Sequence, residues 1–293
     1  MATFETPNEI SVMVDLPLGA VHLMATRRSD TVVVVNPTNP STKMDVEAAQ
    51  ATRIDMADNA LVIKVPKSGG LGSFIGLTRS GSVDMTIELP EGSQVDITTG
   101  FADVRADGSL ADANVHSGAG NVRLDEVGNA TIATGAGSVN VNRISGKGKI
   151  TTAGDMHIGS IDGAAEIKNL NGKTWLGEVS GRLQVKSANG DITVGQALSD
   201  MAAKTGNGSI QIGEVVTGSS TLETGSGNLE IGIGHGTAAW VDARTRFGRV
   251  HNNLEVSDGP GATRQTVEVT ARTSFGDITV LRSTIKPEQK GQK

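Results

Sequence analysis

SGAGNVRLDEV occupies residues 117–127, and TGAGSVNVNRI follows at 134–144. A Gly-x-Gly that leads into apolar residues fits a phosphate-cradling loop, but such a loop occurs once, after a strand, and opens a helix. Here the glycines lead into Val122-Arg-Leu124 and Val139-Asn-Val141, a period of two that belongs to strands. The motif also returns, as AGDMHIGSI from Ala153, NGDITVGQA from Asn189, NGSIQIGEV from Asn207 and SGNLEIGIG from Ser226. A ligand loop has no physical reason to recur in this way. The glycines read as the corners of a repeat.

The repeat can be followed position by position. An apolar residue restarts each cycle at Ile97, Val115, Ile132, Ile150, Ile167, Val185, Ala203 and Leu222, at separations of 18, 17, 18, 17, 18, 18 and 19 residues. Looser equivalents are Ala243 and Val269. Units this short cannot bury a face alone and must stack. A second strand supplies inward pairs such as Val122/Leu124, Ile192/Val194 and Ile210/Ile212, and a third, shorter side supplies Val127, Ile144, Ile161, Val179 and Val215. Three short strands in about 18 residues predict an all-β fold, a single-stranded, three-sided parallel β-helix. A full coil also provides the dozen or more residues that a parallel connection needs. The left-handed hexapeptide prism requires an aliphatic residue every six positions, whereas the gaps here run 7, 2, 3, 3 and 2. The right-handed form is therefore expected, in keeping with the usual crossover hand.

Two residues after each restart stands a small polar group: Thr99, Ser117, Thr134, Thr152, Asn169, Ser187, Thr205 and Thr224. Strand alternation points these groups inward. Stacking then sets them in a ladder in which each bonds its neighbours and no buried polar atom is stranded. Three residues further on, a glycine column that includes Gly120, Gly137, Gly190 and Gly208 marks a corner.

The ends depart from this rhythm. Strands at 10–16, 21–24, 31–35, 60–65 and 82–89 lack the tight repeat, so residues 1–90 read as an N-terminal β cap with entry strands. Residues 91–283 read as β-helix coils and 284–293 as a disordered polar tail. KSGGLGSFIGLTRSG (67–81) is expected to be a mobile loop, and SDGPGATRQ (257–265) a hairpin excursion.

Composition excludes several functions. The net charge of −6 leaves no basic footprint for nucleic acid. With no cysteine, disulfides, thiol catalysis and thiolate metal sites are absent. MATFETPNEISVMVDLP carries Glu5, Glu9 and Asp15 and no basic leader, so no signal peptide is expected. No apolar run approaches a membrane span. These features predict a cytoplasmic protein without membrane insertion.

LPLGAVHLMATRRSDTVVVVNP (16–37), IELPEGSQVDITTG (87–100) and the T-G-x-G coils resemble a bacterial β-strand-repeat family of unknown function, frequent in actinobacteria and named as putative adhesins. The resemblance runs from about Phe4 to Leu281 and implies surface attachment.

No catalytic, cofactor or metal site is expected. Asp103, Asp155, Asp191 and Asp277 share an outward column interleaved with Asn121, Ser138, Lys173 and Ser209, which reads as a solvated polar face. Acids two coils apart would stand about 10 Å from one another, too far for a shared metal. His157 and His251 share a column but are separated by Trp175, Thr193, Gln211 and Glu230. Trp175, the large aromatic of the regular coils, reads as a partner contact beside His157; the rival is that it covers a gap left by Thr174. The expected function is a non-enzymatic scaffold or interaction protein that binds a protein partner or itself. The alternatives are a carbohydrate-active β-helix enzyme and a self-assembling rod.

Overall fold

The computed structural model describes residues 1–66, 81–254 and 265–285. The expected loop at 67–80, the excursion at 257–264 and the tail from 286 lie outside these residues. The chain forms two compact units, Met1–Gly146 with Ile150–Ala153, and Lys147–Lys149 with Gly154–Lys293.

The first unit contains β1 (Ala2–Glu5), β2 (Ser11–Thr26), β3 (Asp30–Pro37), α1 (Lys43–Ala51), β4 (Arg53–Ala57), β5 (Ala60–Lys64), β6 (Val83–Pro90), β7 (Gln94–Ala119), β8 (Val122–Ala136) and β9 (Val139–Ile144). The division falls within β10 (Gly148–Thr152). The second unit contains β11 (Met156–Ile161), β12 (Ala165–Asn171), β13 (Thr174–Val179), β14 (Leu183–Asn189), β15 (Ile192–Ala197), β16 (Met201–Asn207) and β17 (Ile210–Val215). It continues with β18 (Gly218–Ser226), β19 (Leu229–Ile233), β20 (Thr237–Phe247), β21 (Val250–Asn252), β22 (Gln265–Phe275) and β23 (Ile278–Arg282).

Both units are built as parallel β-helix. In the second, one side stacks β12, β14, β16 and β18 in parallel register, with Ile167 opposite Val185, Val185 opposite Ala203 and Ala203 opposite Leu222. The other side stacks β11, β13, β15, β17 and β19. The coil of β14 and β15 buries Leu183, Val185, Ile192, Val194 and Ala197. Five aliphatic side chains at ~1.5–3 kcal/mol each, before chain entropy is subtracted, hold one coil to the next.

Two kinds of glycine corner let coils stack closely. Gly208 adopts φ +140°, and a Cβ there would lie 2.2 Å from the Gly190 carbonyl oxygen of the coil below. The second is the column Gly159, Gly177, Gly195, Gly213 and Gly232; a Cβ on Gly195 would lie 2.6 Å from the Gly177 oxygen.

In each unit the outermost coil is laid down out of chain order. In the first, β2 pairs in parallel with β5 and β6 on one edge and with β7 on the other. Antiparallel β4 then covers β5, antiparallel β3 covers β6, and β1 pairs with β3. This cap also contains α1, which the strand reading did not anticipate. Its buried Asp45 accepts hydrogen bonds from the Ser82 N–H at 2.9 Å and the Asn39 N–H at 3.1 Å.

In the second unit β22 lies between β18 and β20, and β23 lies between β19 and β21. Leu222 therefore stands opposite Ala271, which stands opposite Ala243. This corrects the repeat assignment at Val269, which pairs with Ser220 instead. The inserted coil returns through a connection of another length, so the spacing that links neighbouring coils no longer applies.

Candidate functional site

Three sets of polar side chains run along the stacks, and the first lies inside. Thr99 donates to the Ser117 hydroxyl at 2.9 Å, a direct pair of the kind the ladder implies. Further along, the groups turn to corner carbonyls of their own coil and of the coil below. Thr134 donates to the Ala136 oxygen at 3.1 Å and reaches Gly120 at 3.4 Å, while Thr152 donates to Gly137 at 2.9 Å. In the second unit Thr205 reaches Gly190 and Asn207, both at 3.2 Å, and Thr224 donates to Gly208 at 2.8 Å. Asn169 spreads its amide N–H groups over the Gly154 and Gly172 oxygens and the Thr174 hydroxyl. The Ser187 hydroxyl has no partner among the described residues. For Thr134, Thr152, Thr205 and Thr224 a corner carbonyl offers its spare lone pair within reach of the hydroxyl.

The second set is the acidic column, and its members are tied to backbone. The Asp103 carboxylate accepts from the Asn121 N–H at 2.7 Å, Asp155 from the Lys173 N–H at 2.8 Å, and Asp191 from the Ser209 N–H at 2.8 Å. Asn121 and Asn228 do the same for Ser138 and Asp277, and Asp277 for Arg249. Each side chain thus satisfies a corner N–H one coil away. Beside them an amide ladder links Asn207 to Asn189 at 2.9 Å and Asn189 to Asn171 at 3.1 Å. Among the described residues no group of three or more His, Asp or Glu is placed to hold a metal ion.

The third set lies on the outer face of β11, β13, β15, β17 and β19, where His157, Trp175, Thr193, Gln211 and Glu230 stand in register. The His157 and Trp175 rings stack with centroids 4.0 Å apart and planes 6° from parallel. The indole folds along its strand, so a Cβ on Gly177 would come within 3.1 Å of it. Trp175 keeps 37% exposure. Thr174 is buried, and its hydroxyl accepts from the Asn169 amide at 3.1 Å. Glu178, Gln196 and Glu214 follow in the neighbouring column, with Gln196 donating to Glu214 at 2.7 Å.

The lysine column Lys168, Lys186 and Lys204 faces outward from β12, β14 and β16. It is largely neutralised. Lys168 pairs with Glu166 at 2.7 Å and holds that carboxyl below its ordinary range, and Lys204 pairs with Glu223 at 3.0 Å.

Sequence reasoning placed Trp175 and His157 together but missed the aromatics of the last coils. Trp240 is 75% exposed on β20, and Phe247 and Phe275 stack at 5.0 Å across β20 and β22. A weak signal was available in RTRF and ARTSF, which repeat the ladder threonine followed two residues later by Phe.

No protein family matches the chain by sequence, and no curated protein matches it. The expected actinobacterial relationship therefore gains no support. Among the described residues no helix is long and apolar enough to cross a membrane. Solved structures similar to the chain include a putative adhesin from Bacteroides fragilis, 13% identical with a TM-score of 0.37, the match covering 95% of each chain. A putative adhesin from Parabacteroides merdae is 11% identical with a TM-score of 0.29, covering 97% of this chain and 96% of that one. A putative cell adhesion protein from Clostridium sporogenes is 11% identical with a TM-score of 0.22, covering 96% and 98%. Backbone agreement at that level is too low to transfer a role.

Proposed function

We propose that the chain is a non-enzymatic interaction protein whose second unit offers the outer face of β11 and β13 to a protein partner. The stacked His157–Trp175 pair carries this reading. Polar groups elsewhere on the stack are engaged within the molecule: the corner carboxylates hold backbone N–H groups, and Lys168 and Lys204 hold glutamates. The aromatic pair instead stands edge-on to the sheet, ring stacked on ring from coil to coil, with its outer edge uncovered. A rigid surface loses little conformational entropy on binding, and aromatic anchors dominate interface energetics.

The test compares immobilised wild-type and Trp175→Ala chains in host extract. A protein retained by wild type and at least about tenfold less by the variant, at an unchanged melting temperature, supports the reading. Equal retention by both, or a lowered melting temperature with no change in retention, overturns it.

A further inference from the structure

We propose that the free edge of β20 is a self-association site at which a second copy of this chain adds its own β20 in antiparallel register about a two-fold axis at Ala243. Among the described residues β22 is the one strand that pairs with β20. Inward-facing residues on this side of the stack send their N–H groups to the next coil, as Leu183 does to the Asp200 oxygen at 2.9 Å. By strand alternation the N–H and C=O groups of Ala239, Val241, Ala243 and Thr245 therefore point along the free edge. An unpaired edge of this length is a template for another strand.

The outward side chains specify the occupant. They read Trp240, Asp242, Arg244 and Arg246. With the axis at Ala243, Asp242 faces the second copy's Arg244, and Arg244 faces its Asp242. Trp240 faces Arg246, a cation over an indole, in both directions. An axis at Thr245 would set Arg244 against Arg246 twice, and one at Val241 would leave Arg244 opposite Ala238. Charge thus selects one register, and opposite charges directly across an antiparallel pair are stabilising. Within one copy Asp242 lies 2.9 Å from Arg244 and 3.9 Å from Arg272, so it already sits in a cationic frame that a second Arg244 extends. On the inward side, Ala239, Val241 and Ala243 are only partly covered, although their partners Val267, Val269 and Ala271 are buried. Pairing would set Ala243 against the second copy's Ala243, Val241 against its Thr245 and Ala239 against its Phe247. The contact is isologous and stops at two copies.

The test is sedimentation velocity from about 1 to about 100 μM protein, the range in which a contact of modest size dissociates. The wild type is expected to form a concentration-dependent dimer. Asp242→Arg should raise its Kd at least about tenfold by setting arginine against arginine. The double variant Asp242→Arg/Arg244→Asp, which swaps the charges, should return Kd to within about threefold of wild type. Both variants should keep the wild-type melting temperature, since the two side chains are on the surface. A wild type that stays monomeric throughout, a reversal without effect, or a swap that fails to restore the dimer overturns the proposal. Trp175→Ala should leave this equilibrium unchanged, which separates it from the interaction proposed for β13.

Discussion

The outermost coils of the two units solve the same problem in opposite ways. In the first unit β5 and β6 lie under antiparallel β3 and β4, and Val83, Met85, Ile87 and Leu89 are buried. In the second unit β20 and β21 lie uncovered by any described residue, and Val250, whose stacking partner Ile278 is buried, keeps 45% exposure. A coil repeat carries its own inward pattern whether or not a further coil follows. What makes an end stable is the cover, and cover comes from residues outside the repeat. The cap also ends in short strands, β1 and β4, which offer little edge for pairing, whereas β20 presents eleven residues.

The largest test of this contrast is volume removal. Ile87→Ala should cost ~2–5 kcal/mol in urea denaturation, because its site is closed on both edges and cannot collapse freely. Val241→Ala in the bare coil should cost about 1 kcal/mol or less, because its side chain already meets solvent. Equal losses would break the comparison. Glycine substitution sharpens it. Gly19→Ala combines φ +136° with a Cβ 1.9 Å from the Val83 oxygen and should cost ~2–4 kcal/mol. Gly236→Ala, at φ +77° with nothing within 4 Å of its Cβ, should cost only the backbone strain, ~1–2 kcal/mol.

Hydroxyl deletion should rank third. Thr31→Val strands the buried Thr6 hydroxyl, its partner at 2.8 Å, and should cost ~1–3 kcal/mol. Thr245→Val, whose hydroxyl donates to the Gly276 oxygen at 2.8 Å in the half-covered coil, should cost under ~1 kcal/mol. Thermal melts of both variants decide the order.

Acid should have the smallest effect, and at the covered end it acts through Asp30. Arg28 beside Asp30 holds that carboxyl below its ordinary value of 3.8. Its contribution is fully present above that value and is lost as pH falls through the lower, folded one. The loss should be small because the pair is near the surface. Arg28→Ala should flatten the fall of the denaturation midpoint below pH 3.8, and an unchanged slope would assign the acid response elsewhere.

The coil was legible in sequence because stacking in register repeats the same environment at a nearly constant spacing. Val115, Ile132, Ile167, Val185, Ala203 and Leu222 each fall on the expected column. Spacing does not encode which coil lies between two others, so the insertion of β22 went unread and Val269 was misassigned. The acidic column read as solvated because the partner of Asp191 is a backbone N–H one coil away, which leaves no mark on residue identity. The second glycine column was visible in HIGSI, WLGEV, TVGQA and QIGEV, but the first column had already accounted for the turns. Of the candidate site, the neighbourhood of Trp175 and His157 followed from the spacing. Their stacking did not, because it depends on rotamers. Trp240 lies where the coil pattern loosens, at an outward position of a strand whose outer edge no described residue pairs with, which no local pattern announces.

The out-of-order coil also bears on how the molecule would yield to force. A stack laid down in chain order is released one coil at a time by tension on its last strand. Here the last coil-forming strands, β22 and β23, are held along both edges. Tension on the C-terminus must shear two ladders together or first lift away β20 and β21. The bare coil, although outermost, is followed in the chain by β22 and β23, so a pull on β23 does not reach it first. The weakest part of the second unit is thus shielded from axial pulling on β23, which is itself paired along both edges.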